Sequence, residues 1–186
     1  MLNNTFSLSR VKLRPLAKDD LTMVLNWRNS DNVRRFMISD KIISSDEHKK
    51  WFLNSINDDS CEYLVAMYKE KPIGLVSITD IKDVDKTCTW GMYIAKKNVE
   101  LGVGVLMEIA AIDRMFYFHK VRKIWGQLLS SNRIRFLHKR AGFTEEGVLK
   151  KHVFRGGIYE DLILVSIFSH EWKDSRVNMV KSLNLN

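Results

Sequence analysis

The sequence predicts a single α/β domain built on a mixed, mostly antiparallel central sheet flanked by helices. Three observations carry this. Strand-like and helix-like segments alternate along the chain, the pattern of layered folds. Its 186 residues suit one domain at ~100–200 residues per domain. Apolar residues make up 45% and aromatic residues 10%, enough for one sizeable core. Pro15 and Pro72 are the two prolines, so no Pro-rich linker divides the chain, and no repeat or low-complexity tract is visible.

The elements follow in order. "VKLRPL" alternates in polarity and reads as a first strand. In "KDDLTMVLNWRN", Asp19 or Asp20 can cap a helix that carries Leu21, Val24 and Leu25 on one face. "ISSDEHKKWFLNSI" holds a second helix, with Ser44 and Glu47 at capping-box spacing and Trp51 and Phe52 on its buried side. "CEYLVAMYKEKPIGLVSITDI" reads as two strands joined at Glu70 and Lys71, and "KTCTWGMYIA" as the third strand of the meander. A loop with Gly102 and Gly104 then opens a helix with Val105, Ile109, Ile112 and Phe116 on one stripe. "VRKIWGQLL" is another strand, "SSNRIRFLHKRAGF" a short helix ending near Gly142, and "GVLKKHVFRGGIYEDLILVSIF" a hairpin turning at Gly156-Gly157. One domain is expected over 1–186, with its core at about 10–170 and 171–186 as a C-terminal tail.

The net charge is +8 and the sequence pI about 9.5. That balance suits an anionic ligand, or simply a basic surface. The Lys and Arg residues are scattered, which weighs against nucleic acid. Cys61 and Cys88 have no metal-ligand spacing and read as ordinary thiols of a reducing compartment. No apolar run approaches the ~18 residues of a membrane span, and "MLNNTFSLSR" lacks the apolar core of a signal peptide. The expectation is a cytoplasmic protein that binds neither membrane nor nucleic acid.

The glycine loop, Leu101 to Val105, lies between a strand and a helix, where free N–H groups and the helix dipole favour phosphate. A Walker loop is excluded, because Val105 and Leu106 stand where Lys and Ser or Thr belong. A dinucleotide fingerprint is excluded, because position 107 is Met and the loop lies mid-chain. A pyrophosphate site of another type and a glycine-relieved turn both remain open from the loop alone.

This loop, "SSNRIRFLHKRAGF" and "EEGVLKKHVFRGGIYEDLILVSIF" together resemble the GNAT family of N-acetyltransferases. The segments "VLNWRNSDNVRRFM", "ISSDEHKKWF", "KPIGLVSITDI" and "WGMYI" are most similar to the pseudaminic-acid-pathway enzymes, which acetylate the 4-amino group of a UDP-linked 4-amino-4,6-dideoxy sugar. The resemblance implies a GNAT fold whose splayed strands hold acetyl-CoA. It implies pantetheine against Met92, Tyr93 and Ile94, and pyrophosphate on the N–H groups of Leu101, Gly102, Val103, Gly104 and Val105. It also puts Asn132 and Arg140 near CoA. Val99 replaces the family's usual Arg or Gln at the head of the loop, and Gly91 is a site for the bulge that starts the splay. The family's Leu-Tyr-Glu-Lys-x-Gly-Phe pattern reads here Leu137-His138-Lys139-Arg140-Ala141-Gly142-Phe143, so His138 takes the place of the Tyr that protonates the thiolate.

Acetyl transfer needs an uncharged amine, stabilisation of an oxyanion and a proton for the leaving sulfur. No cysteine nucleophile is required, and no metal is implied. His138 is the candidate acid, the resemblance puts Tyr93 near the reaction centre, and Gln127 can orient a water but cannot take a proton. The expectation is therefore that no single carboxylate is essential. The resemblance assigns Arg28 and His48 to the nucleotide of the acceptor, and Thr79, Asp80 and Tyr93 to its sugar. Trp27 and Trp51 read as packing, and Lys12, Arg14, Arg34 and Arg35 as solvated charge. The expected partners are a nucleotide sugar and acetyl-CoA, with a homodimer left open. The alternatives are a protein N-terminus or a polyamine as acceptor, the latter opposed by the +8 charge, or a non-catalytic nucleotide- or RNA-binding module.

Overall fold

A computed structural model describes residues 8–183. Seven strands form one sheet in the order β1-β2-β3-β4-β5-β7-β6. They are β1 (Val11–Pro15), β2 (Glu62–Tyr68), β3 (Lys71–Lys82), β4 (Thr87–Ile94), β5 (Lys123–Leu129), β6 (Thr144–Arg155) and β7 (Ile158–Phe168). All neighbours are antiparallel except β4 and β5. The helices are α1 (Leu21–Asn29), α2 (Asp31–Arg34), α3 (Ser45–Ser55), α4 (Val103–Asp113), α5 (Arg135–Arg140) and α6 (Ser169–Leu183). The mixed, mostly antiparallel α/β architecture is the one predicted.

Period-2 alternation divides the core between the two faces of the sheet. Leu64, Ala66, Val76 and Ile78 join the main cluster with α4 and α6. Val65 and Leu75 turn the other way and pack with Val24 and Trp27 of α1. Helix α4 crosses from β4 to β5 and is buried on most of its circumference, wider than a single stripe. The capping box forms as read: Ser44 Oγ accepts from Glu47 N–H at 3.2 Å, and Glu47 accepts from Ser44 N–H at 2.9 Å. Gly156 and Gly157 both have positive φ, as a tight hairpin turn requires.

Four readings need correction. The segment read as a C-terminal tail contains α6, whose fully buried Trp172 donates to Asp113 Oδ1 at 2.8 Å beside the Arg176–Asp113 ion pair. Asp20 makes no helix-capping bond for α1. Its carboxylate accepts from Ala17 N–H at 2.9 Å and pairs bidentately with Arg14 at 2.6 and 2.7 Å. Arg14 is thus a structural partner, not free charge. Arg34 likewise donates to Asp31 and to the Asp40 carbonyl.

The fourth correction concerns the splay. β4 pairs with β5 only over Thr87–Thr89 against Lys123–Trp125, and the strands part beyond that point. No bulge marks Gly91, where the β3–β4 register is continuous. The irregularity falls between Thr79 and Lys82, where Asp80 has φ 52°. The close approach comes at Gly74 instead: a Cβ there would stand 2.1 Å from the Tyr93 carbonyl oxygen.

Candidate active site

The split between β4 and β5 opens into a cavity of about 550 Å³. β4 supplies Thr89 to Tyr93, and β5 supplies Trp125 to Leu128. Asn132 and His138 close one end. Arg28, His48 and Trp51, with the Phe36–Ser39 stretch, close the other.

At the loop, Gly102 caps α4 in the left-handed conformation with φ 92°, a geometry glycine adopts without steric cost. Val103 N–H bonds the Glu100 carbonyl and Leu106 N–H the Gly102 carbonyl. Among the described residues no backbone acceptor is found for the N–H groups of Gly104 and Val105. A Cβ at position 104 would meet nothing closer than Ile94 Cδ1 at 3.7 Å, so protein packing does not require a glycine there. Free N–H groups and open space at a helix start fit a pyrophosphate. Val99 packs against the core. The adjacent Glu100 fastens the loop to the start of β1 and the end of β2 by bonds from Lys69 just after β2, from Tyr68 at 2.6 Å and from Arg10 just before β1 at 2.9 Å. Lys69 and Tyr68 hold that carboxyl down to about 2.

At the Asn132 end, His138 is 8% exposed and its Nδ1 lies 2.7 Å from Glu108 Oε1. Glu108, on α4, is fully buried, and its Oε2 has no partner. The edge of Trp90 and the ring of Phe143 flank the imidazole, with centroids at 4.9 and 5.5 Å. Asn132 accepts from Ile134 N–H at 3.1 Å and also faces the cavity. Arg140 is exposed and does not line it.

At the other end, His48 is 5% exposed and stacks on Trp51 at 4.8 Å. Burial pulls its pKa down, against the opposing pull of a hydrogen bond to the Leu21 backbone. Its Nε2 is buried without a partner. Arg28 donates through Nη2 to the Ser39 carbonyl at 2.9 Å, while its Nη1 is unpaired. The Tyr93 hydroxyl is also buried and unpaired, and burial raises its pKa, so the phenol stays neutral. Gln127 lines the cavity from β5. Burial pushes the Cys88 thiol up to about 12, leaving it inert as a nucleophile.

A GNAT-family sequence model, described as "Acetyltransferase (GNAT) domain", matches residues 10–144. The chain belongs to the GNAT acetyltransferase family. It is an N-acetyltransferase, and its acetyl donor is acetyl-CoA. Spermidine N(1)-acetyltransferase of Vibrio cholerae is 26% identical over 156 residues, covering 83% of this chain and 90% of that one. The Escherichia coli K12 protein of the same name is 25% identical over 167 residues, covering 89% and 90%. The crystal structure of spermidine N-acetyltransferase from V. cholerae, in complex with CoA and spermine, superposes with a TM-score of 0.84. It is 24% identical and covers 89% of this GNAT chain and 99% of that one. Among the described residues no helix is long and apolar enough to cross a membrane.

These relatives overturn the nucleotide-sugar acceptor, since the matched proteins act on spermidine. The local chemistry explains why the basic reading misled. His48 is buried and held toward its neutral form, a poor phosphate ligand. Among the described residues Arg28 is then the one Lys or Arg on the cavity lining. Thr79 and Asp80 do not line the cavity. They sit in a second depression with Glu47, Lys50 and Asp58, and Trp51 and Tyr63 form the wall shared by the two. Trp51 is therefore a site residue and not only packing. The charge objection to a polyamine fails for the same reason: a net +8 does not describe the groups beside the site.

Sequence reasoning missed Glu108. The signal was present as a single carboxylate inside the otherwise apolar run "VGVLMEIAAI".

Proposed function

We propose that this GNAT enzyme acetylates a primary amine of a polyamine-class acceptor, which enters the cavity at the His48–Trp51 end. The observation that carries the reading is the shared Trp51–Tyr63 wall. On one side lies a largely apolar cavity that favours an uncharged reacting amine, and on the other stand Glu47, Asp58 and Asp80 with Lys50, where an acceptor's remaining ammonium groups would compete with Lys41 for Glu47 and with Lys82 for Asp80. The activity of the curated relatives supports the same acceptor class.

Backbone groups of Met92, Tyr93 and Ile94 on the splayed edge of β4 orient the acetyl thioester, and the neutral Tyr93 hydroxyl is available as a donor toward developing negative charge. The N–H groups of Gly104 and Val105 hold pyrophosphate. Gln127 orients water. His138 supplies the proton to the leaving sulfur, and deprotonation of the amine passes to solvent.

One observation favours a second acceptor, a protein N-terminus: among the described residues the cavity lining carries no carboxylate, and Arg28 Nη1 is unpaired. The test is CoA release from acetyl-CoA with a panel of spermidine, spermine and N-terminal peptides of ribosomal proteins. Turnover of spermidine or spermine above the peptides is expected. Turnover of the peptides alone would replace the polyamine with a protein acceptor.

A further inference from the structure

The geometry points to Glu108 as the positioning residue of a buried proton-donating pair with His138, a role that rests on the reading of His138 as the acid. Glu108 is one helical turn beyond Gly104, so α4 presents free N–H groups at its start and a carboxylate one turn later. That carboxylate lies 2.7 Å from Nδ1 of His138, across 30 residues of sequence. His138 faces the cavity, and its Nε2 makes no hydrogen bond among the described residues. The ring is thus held at one nitrogen and free at the other, the arrangement that fixes which nitrogen meets a reacting atom.

A purely packing role does not account for the pair. Neighbouring Met107 and Ile109 show that α4 accepts apolar side chains at buried positions. A fully buried carboxylate is costly without full compensation, and Oε2 of Glu108 has none. Its use is clear if Glu108 faces a cation. Glu108 is the charged group that meets the imidazole. Trp90 and Phe143 supply only ring contacts, and Lys139 and Arg140 on the same short helix are exposed.

In the step itself the amine nitrogen has bonded to the acetyl carbon. The carbon–sulfur bond breaks and its electron pair stays on sulfur. The proton on Nε2 of the His138 imidazolium moves to that sulfur. His138 is left neutral, still donating Nδ1–H to Glu108, and regains a proton from solvent. The amine's own proton leaves to water. A phenol donor at this position is uncharged and would need no carboxylate behind it, so a tyrosine at position 138 should make Glu108 dispensable.

The test is steady-state kinetics with acetyl-CoA and whichever amine of the panel turns over, on wild type, Glu108→Gln, His138→Tyr and the double variant. Glu108→Gln should lower kcat by about 10–100-fold, with KM for acetyl-CoA nearly unchanged, and should be almost silent in the His138→Tyr background. Equal losses in both backgrounds, or a raised KM with unchanged kcat, would overturn the pairing. If Glu108→Gln does not fold, nitrogen NMR of the His138 ring in the wild type decides. A proton on Nδ1 is expected, and a bare Nδ1 with the proton only on Nε2 overturns it. His138→Phe with unchanged turnover would instead remove the acid reading itself.

Discussion

Two buried histidines face the same cavity from opposite ends, and their partners differ. His138 has a buried carboxylate at 2.7 Å and aromatic flanks. His48 has an indole stacked on its face, a backbone bond and an unpaired Nε2. The first ring faces a carboxylate, whereas burial disfavours a charge on the second. Residue type therefore does not assign the role. Under the proposed function the group opposite the ring does, and it separates a leaving-group end from an acceptor end.

The comparison can be broken by variants at each end. The largest effect is expected at the leaving-group end: His138→Phe keeps the ring packing and removes the proton, and kcat should fall by about 10²-fold or more. Initial rates at saturating acetyl-CoA measure this, and a loss confined to the acceptor KM would mean that the two ends have been exchanged. A smaller effect is expected from Arg28→Met, which keeps the aliphatic stem and removes the one Lys or Arg among the described residues of the lining. For a polyamine acceptor, KM for the amine should fall or stay level as a like charge is removed. A several-fold rise in that KM would favour an acceptor carrying an anionic group, as in the peptide reading.

The smallest effect concerns stability. Burial lowers the His48 pKa, so at pH above the ordinary histidine value of ~6.5 the ring is neutral in both folded and unfolded chains and its contribution is complete. As pH falls below that value the unfolded chain takes up the proton first, and stability is lost until the lowered folded value is reached. Thermal melts across that range should show a steeper acid-side loss for wild type than for His48→Gln. Parallel curves would show that His48 is not held neutral by the fold.

Most of the fold was legible because its signals are local. The Ser44/Glu47 capping box, the Gly156-Gly157 turn and the alternating strands each lie within a few residues. Helix α6 was not, because only Trp172, Met179 and Leu183 of its fifteen residues are buried and its anchor, Asp113, is remote in sequence. At the site, His138, Gln127, Tyr93, Arg28 and His48 all line one cavity. Thr79 and Asp80 do not, and they sit at the register shift before Lys82. Glu108 could be seen as an anomaly in an apolar helix, but its partner is 30 residues away and only the folded chain brings the two together. The acceptor was misread because whole-chain charge stood in for local charge, and the carboxylates beyond Trp51 come from α3, the loop after it and β3.

The most direct measurement of the division between the two ends is the pH profile of kcat for wild type beside His138→Tyr. The amine must lose a proton to attack, so both rates should climb from acid pH. Imidazole and phenol are acids of different strength, with ordinary pKa values of ~6.5 and ~10. The two profiles should therefore part in their alkaline limbs, with His138→Tyr rising further. Superimposable profiles would contradict the account, because the proton for the leaving sulfur would then not come from His138.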